Sequence, residues 1–225
     1  MKVVVIIPAL NEAACIGDVV QEALAQSVSE VVVVDNGSTD STAQVARQAG
    51  GRVVTEPRRG YGYACAAGVA STGDADVLVF LDGDGSLLPD EMPRLLEPLT
   101  SDGADLVLGS RDLGLMAQGA MPSHQRFGNW LASRLMQALY GLRVTDLGPY
   151  RAIRAELLRS LDMREMTFGW PTEMMVKTAR HGARIVQVPV SFHPRRAGRS
   201  KVSGTLRGTL FAAYCILSVT VRYAF

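Results

Sequence analysis

The chain has 225 residues, of which 48% are hydrophobic, and its net charge at pH 7 is +1. This length and apolar content predict one well-filled α/β domain and argue against a disordered chain. The three cysteines, Cys15, Cys65 and Cys215, are an odd number without metal-ligand spacing. They therefore argue against a disulfide framework or a zinc site and predict a cytoplasmic, reducing location.

The small net charge hides an uneven distribution along the chain. Residues 1–108 contain 6 Lys and Arg against 16 Asp and Glu, a balance of −10, whereas residues 109–225 contain 17 against 6, a balance of +11. An acidic half can hold cations and a basic half can hold anions. The division suits a metal-bound phosphorylated donor that meets an anionic partner, although solvated helix faces would also produce it.

Continuous apolar runs alternate with helical patterns along the first half of the chain. The predicted strands are residues 3–7, 31–34, 53–55, 77–81 and 106–108, and the predicted helices between them are residues 13–26, 39–49, 61–71 and 89–99. Strands that are apolar on both faces are typical of a buried parallel sheet. The order predicts an α/β fold with a doubly wound, mostly parallel sheet that binds ligands at the carboxyl ends of its strands.

Four polar loops follow these predicted strands. They comprise residues 8–12, 35–40, 56–60 and 82–85. Because the carboxyl ends of parallel strands meet at one edge of a sheet, we expect the four loops to lie close together.

The loop after the fourth strand contains two aspartates on either side of a glycine, Asp82-Gly83-Asp84. Side chains at i and i+2 of an extended chain point the same way, and Gly83 would leave the space between them open. Such a pair can hold Mg2+ or Mn2+ against a diphosphate. A polar turn is the simplest alternative. A calcium-binding EF-hand loop is excluded, because its glycine and glutamate positions are occupied by Leu87 and Pro93.

The second half has a different organisation. It is predicted to contain a helix at 126–140, a loop at 145–150, a helix at 171–181, a strand at 185–192, a basic loop at 194–201 and a last helix at 205–223. Pro171 suits a first helical position and Gly182 a helix stop. We therefore divide the chain into a catalytic domain, residues 1–204, with halves 1–108 and 109–204, and a C-terminal apolar helix, residues 205–225.

The last helix contains an apolar stretch, residues 210–221, between Arg207 and Arg222. A membrane span needs about 20 apolar residues, so this stretch is too short to cross a bilayer alone. Three alternatives stay open: contact with the cytoplasmic face of a membrane, packing on the domain, and packing against a second subunit in a homo-oligomer.

Four short motifs together resemble the family 2 glycosyltransferases of the GT-A fold. They are VIIPALNE at 5–12, VDNGSTD at 34–40, LDGDG at 81–85 and LGSR at 108–111. Residues 145–150, Glu173, Arg195 and the Ser200-Lys201 pair extend the resemblance to the branch of dolichyl-phosphate and polyprenyl-phosphate mannosyl- and glucosyltransferases. Pro149-Tyr150 departs from the Gly-Phe or Ser-Phe pair that is usual there, which leaves the shape of the acceptor side open.

The resemblance implies roles for particular residues. The nucleotide base and ribose would be contacted by Pro8, Leu10, Glu12 and Asp35, and the diphosphate would be bound by Asp82, Gly83 and Asp84 through Mg2+ or Mn2+. Arginines and lysines at Arg111, Arg195 and Lys201 would meet phosphates of the donor or the acceptor. From the basic charge of the second half, Arg111 and Arg126 are predicted to bind an acceptor phosphate.

These residues predict an inverting hexosyltransferase that moves a sugar from GDP-mannose or UDP-glucose to a polyprenyl or dolichyl phosphate. The predicted catalytic residues are Asp82, Asp84, Arg195, Lys201 and Glu173. A sugar or small-molecule hydroxyl is the alternative acceptor, and it would require Glu173 or Asp146 as a general base. Both carboxylates could instead serve in salt bridges or helix caps.

Other classes of protein are less compatible with the sequence. A sugar nucleotidyltransferase would carry a glycine-rich basic loop after the first strand, where residues 8–12 stand instead. A nicotinamide-dependent oxidoreductase is suggested by Gly60 and Gly62, but Cys65 occupies the third glycine position. Trp130 and Trp170 are predicted as core or acceptor-wall residues, so no nucleic acid partner is expected. His181 is predicted to lie at a helix terminus, and His124 and His193 are predicted to be structural or loop residues.

Overall fold

The computed structural model describes residues 1–198 and 206–224 and contains one mixed sheet with helices on both faces. The strands are β1 (Val3–Ala9), β2 (Glu30–Asp35), β3 (Arg52–Thr55), β4 (Val77–Phe80), β5 (Leu106–Ser110), β6 (Arg151–Arg154) and β7 (Ile185–Pro189). The helices are α1 (Ile16–Leu24), α2 (Thr42–Gln48), α3 (Tyr61–Ala70), α4 (Met92–Ser101), α5 (Ser123–Tyr140), α6 (Ala155–Ser160), α7 (Trp170–Arg180) and α8 (Leu206–Arg222).

The sheet has the strand order β3-β2-β1-β4-β6-β5-β7, and all neighbouring pairs are parallel except those of β6. The predicted doubly wound, mostly parallel α/β fold is therefore confirmed. Strands from both halves of the chain share this sheet. The carboxyl ends of β1, β2 and β4 consequently lie side by side.

Alternate residues of the central strands enter two different hydrophobic cores. Val5 and Ile7 of β1 pack with α1, α2 and α4 on one face of the sheet. Val4 and Ile6 pack with α3, α6 and α7 on the other face. Burial on both faces explains why the strand sequences are continuous apolar runs.

Sequence reasoning missed β6, an antiparallel strand between β4 and β5. Its sequence, Arg-Ala-Ile-Arg, has a charged residue at each end and does not look like a central strand. Arg151 is nevertheless only 1% exposed, because its guanidinium donates to the carbonyl oxygen of Pro171 at 2.8 Å and to that of Gly148. Backbone carbonyl groups of two loop and helix residues thus make a buried arginine tolerable.

The glycines that suggested a dinucleotide fingerprint have a packing role. A Cβ atom at Gly62 would lie 2.4 Å from the carbonyl oxygen of Glu165, and one at Gly60 would lie 2.4 Å from that of Met166. The backbone N–H of Tyr63 donates to the same Met166 oxygen at 3.2 Å. The start of α3 therefore needs glycine so that the segment before α7 can approach it.

The last helix, α8, packs along α5 and α7. Its inner face is buried at Ala212, Cys215 and Val219. None of the helices in the described ranges is both long and apolar enough to span a bilayer. The predicted boundary between residues 204 and 205 lies outside the described residues.

Candidate active site

A large cavity of about 780 Å³ opens at the carboxyl ends of β1, β2 and β4. Each of the four polar loops contributes to its lining, as the strand order requires. From the first half the lining residues are Pro8, Ala9, Leu10, Glu12, Asn36, Arg59, Gly60, Tyr61, Ala64, Asp82, Gly83, Asp84 and Ser86. The prediction that the four loops gather at one edge is confirmed.

The aspartate pair begins two residues beyond the end of β4, and both aspartates line this cavity. Gly83 was predicted to leave the space between the carboxylates open. In the structure it has a further role, which is close packing. A Cβ atom there would lie 3.0 Å from Ile16 Cδ1 and 3.2 Å from Ile7 Cγ2. The glycine lets the loop lie directly on β1 and α1, which fixes where the two carboxylates stand.

The carboxylate of Asp84 is bound on both oxygens. Its Oδ1 accepts hydrogen bonds from the backbone N–H of Ser86 at 2.9 Å and from Ser86 Oγ at 2.6 Å. Its Oδ2 accepts one from Arg195 Nη1 at 2.7 Å. The same guanidinium donates through Nη2 to both oxygens of Glu12 at 2.6 Å. Arg195, from the basic second half, thus bridges two carboxylates of the acidic first half.

The electrostatic environment of Asp82 differs from that of an ordinary surface carboxylate. Burial and the negative charge of Asp84 raise the pKa of Asp82 to about 7, against the opposing effect of Arg111 and Arg195. A group in this environment gains from a nearby cation. The site therefore stabilises positive charge placed between the two aspartates.

These carboxylates suit a hard divalent cation. Among residues 1–198 and 206–224, no third His, Cys, Asp or Glu joins the pair as a ligand. Magnesium sites in enzymes commonly use one or two carboxylates and fill the other positions with water and substrate phosphate oxygens. The donor set of Asp82 and Asp84 fits that arrangement.

Arg111 also lines the cavity and is held by Asp146. Its Nε and Nη2 atoms donate to the two oxygens of Asp146 at 2.8 and 2.7 Å, and its backbone N–H donates at 2.9 Å. Its guanidinium also lies 4.9 Å from the ring centre of Phe192. Asp146 has no exposed surface. Its contacts are those of a salt bridge that positions Arg111, in place of the general base considered as an alternative.

The contacts of Glu173 also differ from those predicted for a catalytic residue. It is fully buried in α7 and does not line the cavity. Its carboxylate accepts hydrogen bonds from Tyr223 Oη at 2.6 Å, from Lys177 Nζ at 2.9 Å, and from the backbone N–H groups of Arg164 and Glu165. These contacts fasten the end of α8 to α7 and assign Glu173 a structural role.

A smaller recess of about 420 Å³ adjoins the main cavity. Arg111 and Gly119 line both, and Arg126 on α5 lines the recess. The structure thus brings together the two arginines that were predicted to bind an acceptor phosphate. The adjacent carboxylate, Asp112, also lines the recess, so its charge is mixed.

Among the other predicted residues, Pro8 and Leu10 line the main cavity. Asp35 ends β2, and its Oδ1 accepts a hydrogen bond from the backbone N–H of Ser38 at 3.0 Å. Its neighbour Asn36 lines the cavity instead. Lys201 lies outside the described residues.

Sequence reasoning missed several cavity residues. The Asn36 side chain donates to the carbonyls of Glu56 and Arg58 at 2.9 and 2.7 Å and accepts from the N–H of Gly60 at 2.9 Å. It therefore shapes the loop after β3. His193, which was predicted to be a structural or loop residue, also lines the cavity. Its proximity to Asp82 and Asp84 depends on long-range pairing of β7 that sequence spacing does not reveal.

An apolar part of the cavity lining comes from the second half of the chain. It is formed by Phe168, Pro171, Ala212 and Ile216, the last two from the inner face of α8. The cavity therefore joins a carboxylate pair, arginines and a hydrocarbon-compatible surface. Such an arrangement can hold a cation with a phosphorylated ligand at one end and an apolar group at the other.

Comparison with known proteins agrees with this arrangement. The sequence model of "Glycosyl transferase family 2" matches residues 4–162. An uncharacterized glycosyltransferase of Mycobacterium tuberculosis is 39% identical over 93% of this chain and 94% of its own length. The undecaprenyl-phosphate mannosyltransferase of Micrococcus luteus is 36% identical over 92% of this chain and 90% of its own.

A solved structure extends the comparison to the fold. It is the glucosyl-3-phosphoglycerate synthase of Mycobacterium tuberculosis in complex with Mn2+, uridine diphosphate and glucosyl-3-phosphoglycerate. It matches with a TM-score of 0.81 and 27% identity, covering 99% of this chain and 80% of that chain.

The contacts of Glu173 generate a prediction about stability. Although burial raises its pKa, the hydrogen bonds from Tyr223, Lys177 and the backbone prevail and lower it. The substitution Glu173→Gln should lower the free energy of unfolding at pH 7 by about 2 kcal/mol, because it weakens the hydrogen bonds to a charged carboxylate. For a chain of this size the melting temperature should fall by about 4 to 8 °C.

The pH dependence of that difference provides the control. Because the pKa of Glu173 is lower in the folded state than in the unfolded state, where it is about 4.3, its carboxylate stabilises the fold above that unfolded-state pKa. This stabilisation is lost as the pH falls through the pKa of the folded state. The stability difference between wild type and variant should therefore shrink below about pH 4. Glu97→Gln, at an exposed position of α4, should leave the melting temperature unchanged. If Glu173→Gln melts at the wild-type temperature but has lost glycosyl transfer, the catalytic assignment of Glu173 is restored.

Proposed function

Because this chain belongs to glycosyl transferase family 2, we propose that it transfers a hexose from a nucleotide diphosphate sugar to a polyprenyl phosphate. The proposal rests on the composition of the cavity at the carboxyl ends of β1, β2 and β4. Its lining combines carboxylates for a metal-bound donor, arginines, and an apolar surface from α8. A lipid phosphate presents the matching sequence of charge and hydrocarbon.

The donor end is supported by the residues around the aspartate pair. Pro8, Leu10 and Glu12 line the cavity after β1 and would surround the nucleoside. Mg2+ or Mn2+ held by Asp82 and Asp84 would neutralise the charge that grows on the leaving diphosphate. The structural relative that contains Mn2+ and uridine diphosphate supports this use of a metal. Arg195 and Lys201 would contribute further positive charge to the departing phosphates.

The contacts of Asp146 and Glu173 support a phosphate acceptor. A sugar hydroxyl must lose its proton to a base, but Asp146 is engaged by Arg111 and Glu173 is engaged away from the cavity. A phosphate monoester has a second pKa of about 6 and is largely dianionic at neutral pH. It can attack without a base, and Arg111 and Arg126 would hold it. Attack on the sugar from the face opposite the diphosphate gives inversion.

A transfer assay with labelled donors tests the proposal. The protein, Mn2+ and radiolabelled GDP-mannose or UDP-glucose are incubated with and without polyprenyl phosphate. We expect label in an organic-extractable, mild-acid-labile product only when polyprenyl phosphate is present. The same assay with phosphoglycerate covers the chemistry named for the structural relative. Label found only in a water-soluble glycoside would overturn the lipid acceptor.

A matched pair of arginine variants locates the acceptor phosphate. Arg126→Gln should raise the KM for polyprenyl phosphate about tenfold, because one charge-assisted contact is removed. Donor binding should not change. Arg134→Gln, on the same helix with its guanidinium 5.8 Å from the ring centre of Trp130, should leave both unchanged. Equal effects of the two substitutions would indicate general electrostatic attraction in place of a phosphate site.

We also propose that the outer face of α8 contacts an anionic lipid surface. Leu210 and Tyr214 are 62% and 69% exposed, and they lie on one side of the helix with Val221. Arg207 and Arg222, both exposed, lie near its two ends. The opposite face of the same helix lines the apolar end of the cavity. This combination of apolar, aromatic and cationic residues suits the interface of an anionic membrane.

Vesicle sedimentation tests the membrane contact. The wild type should bind vesicles that contain phosphatidylglycerol more strongly than vesicles of phosphatidylcholine. The double variant Leu210→Ser with Tyr214→Ser should bind at least about tenfold more weakly, because each buried side chain contributes on the order of 1.5 kcal/mol. If light scattering shows a wild-type dimer that the variant loses, with no vesicle binding, the face is a subunit interface and the membrane proposal fails.

A further inference from the structure

The guanidinium of Arg195 occupies the space between two carboxylates that face the cavity. It donates to both oxygens of Glu12 and to Oδ2 of Asp84 at distances of 2.6 to 2.7 Å. The side chains of Glu12 and Asp84 are only 9% and 11% exposed, and that of Arg195 is 21% exposed. Water therefore screens this contact weakly, and the arginine supplies the positive charge that the carboxylates need.

The two oxygens of Asp84 are not equivalent. Oδ1 is held by the backbone N–H and the hydroxyl of Ser86, whereas Oδ2 is held by Arg195. A divalent cation coordinates carboxylate oxygens at about 2.0 to 2.2 Å and repels a neighbouring guanidinium. The oxygen of Asp84 best placed for a metal is consequently the one that Arg195 already uses.

The loop that carries Arg195 is anchored independently of this side chain. The backbone N–H groups of His193 and Arg196 donate to the carbonyls of Ser86 and Asp84 at 2.9 and 3.1 Å. The Arg196 side chain pairs with Glu22 on α1 at 2.7 and 2.9 Å. None of these contacts involves the side-chain carboxylates of Glu12 and Asp84. The Arg195 side chain can therefore exchange partners while the backbone of residues 193–196 stays in place.

Arg196 also imposes a constraint on the aspartate loop. Gly85 has a φ of +69°, and a Cβ atom there would lie 2.5 Å from Arg196 Cδ. The loop after β4 and the loop after β7 are thus packed together without space for a side chain. This close contact keeps the Arg195 guanidinium within reach of Asp84.

We propose that Arg195 is a resident counter-cation that competes with the metal until a diphosphate arrives. Without nucleotide, the guanidinium neutralises Glu12 and Asp84 and weakens the binding of a free divalent cation. A nucleotide diphosphate offers Arg195 new oxygen acceptors, so the guanidinium transfers to the phosphates and releases Asp84 Oδ2. Metal and nucleotide then bind as a unit. This inference rests on the proposed use of a metal-bound nucleotide diphosphate, but it does not depend on the identity of the acceptor.

The experiment measures Mn2+ binding by electron paramagnetic resonance, without acceptor, in the presence and absence of uridine or guanosine diphosphate. In wild type, Mn2+ alone should bind weakly and the diphosphate should strengthen its binding. In Arg195→Met, Mn2+ alone should bind at least tenfold more tightly than in wild type. The strengthening by diphosphate should fall by a similar factor, because the two effects are linked.

Two further variants separate competition from a general change of charge or fold. Arg94→Met removes a positive charge from an exposed position of α4 that does not line the cavity, and it should leave the Mn2+ affinity within about twofold of wild type. Arg195→Gln, which keeps a hydrogen-bond donor without charge, should behave like Arg195→Met, and circular dichroism establishes that each variant is folded. Equal Mn2+ affinities in wild type and both folded Arg195 variants would overturn the inference. If neither diphosphate binds to wild type with Mn2+, the proposed donor chemistry fails as well, whereas a negative transfer assay alone would leave the coupling intact.

Discussion

The structure depends on the need of three clustered carboxylates for positive charge. Glu12 follows β1, and Asp82 and Asp84 follow β4, so the parallel pairing of these strands brings them to one edge of the sheet. Burial and mutual repulsion raise the pKa of Asp82 to about 7. The first half of the chain offers no equivalent concentration of cations, since its charge balance is −10. The arginines that answer this need, Arg111 and Arg195, both come from the second half.

Two buried carboxylates of the second half hold Arg111 and α8 in position. Asp146 fixes the guanidinium of Arg111, and Glu173 fastens α8 through Tyr223. Both carboxylates had been considered as general bases. Their actual partners occupy both carboxylates, so the proposed acceptor is one that is already charged and needs no deprotonation.

Sequence patterns predicted those parts of the molecule that are governed by local or periodic features. Strands β1, β2, β4 and β5 are buried on both faces, so their apolar runs were visible, and the loops after the strands could be placed at one edge. β6 was missed because Arg151 is stabilised by the carbonyls of Pro171 and Gly148, contacts that only the folded chain creates. The partners of Glu173 could not be foreseen for a similar reason, since Tyr223 lies 50 residues away. The part played by Asn36 depends on three backbone groups of another loop.

The central claim is that the aspartate pair after β4 holds the metal of a nucleotide diphosphate. Anomalous diffraction from crystals grown with Mn2+ and a nucleoside diphosphate tests it most directly. We expect a manganese peak within about 2.2 Å of a carboxylate oxygen of Asp82 or Asp84, with diphosphate oxygens completing its coordination. A manganese peak elsewhere, with the diphosphate bound away from the carboxyl end of β4, would contradict it.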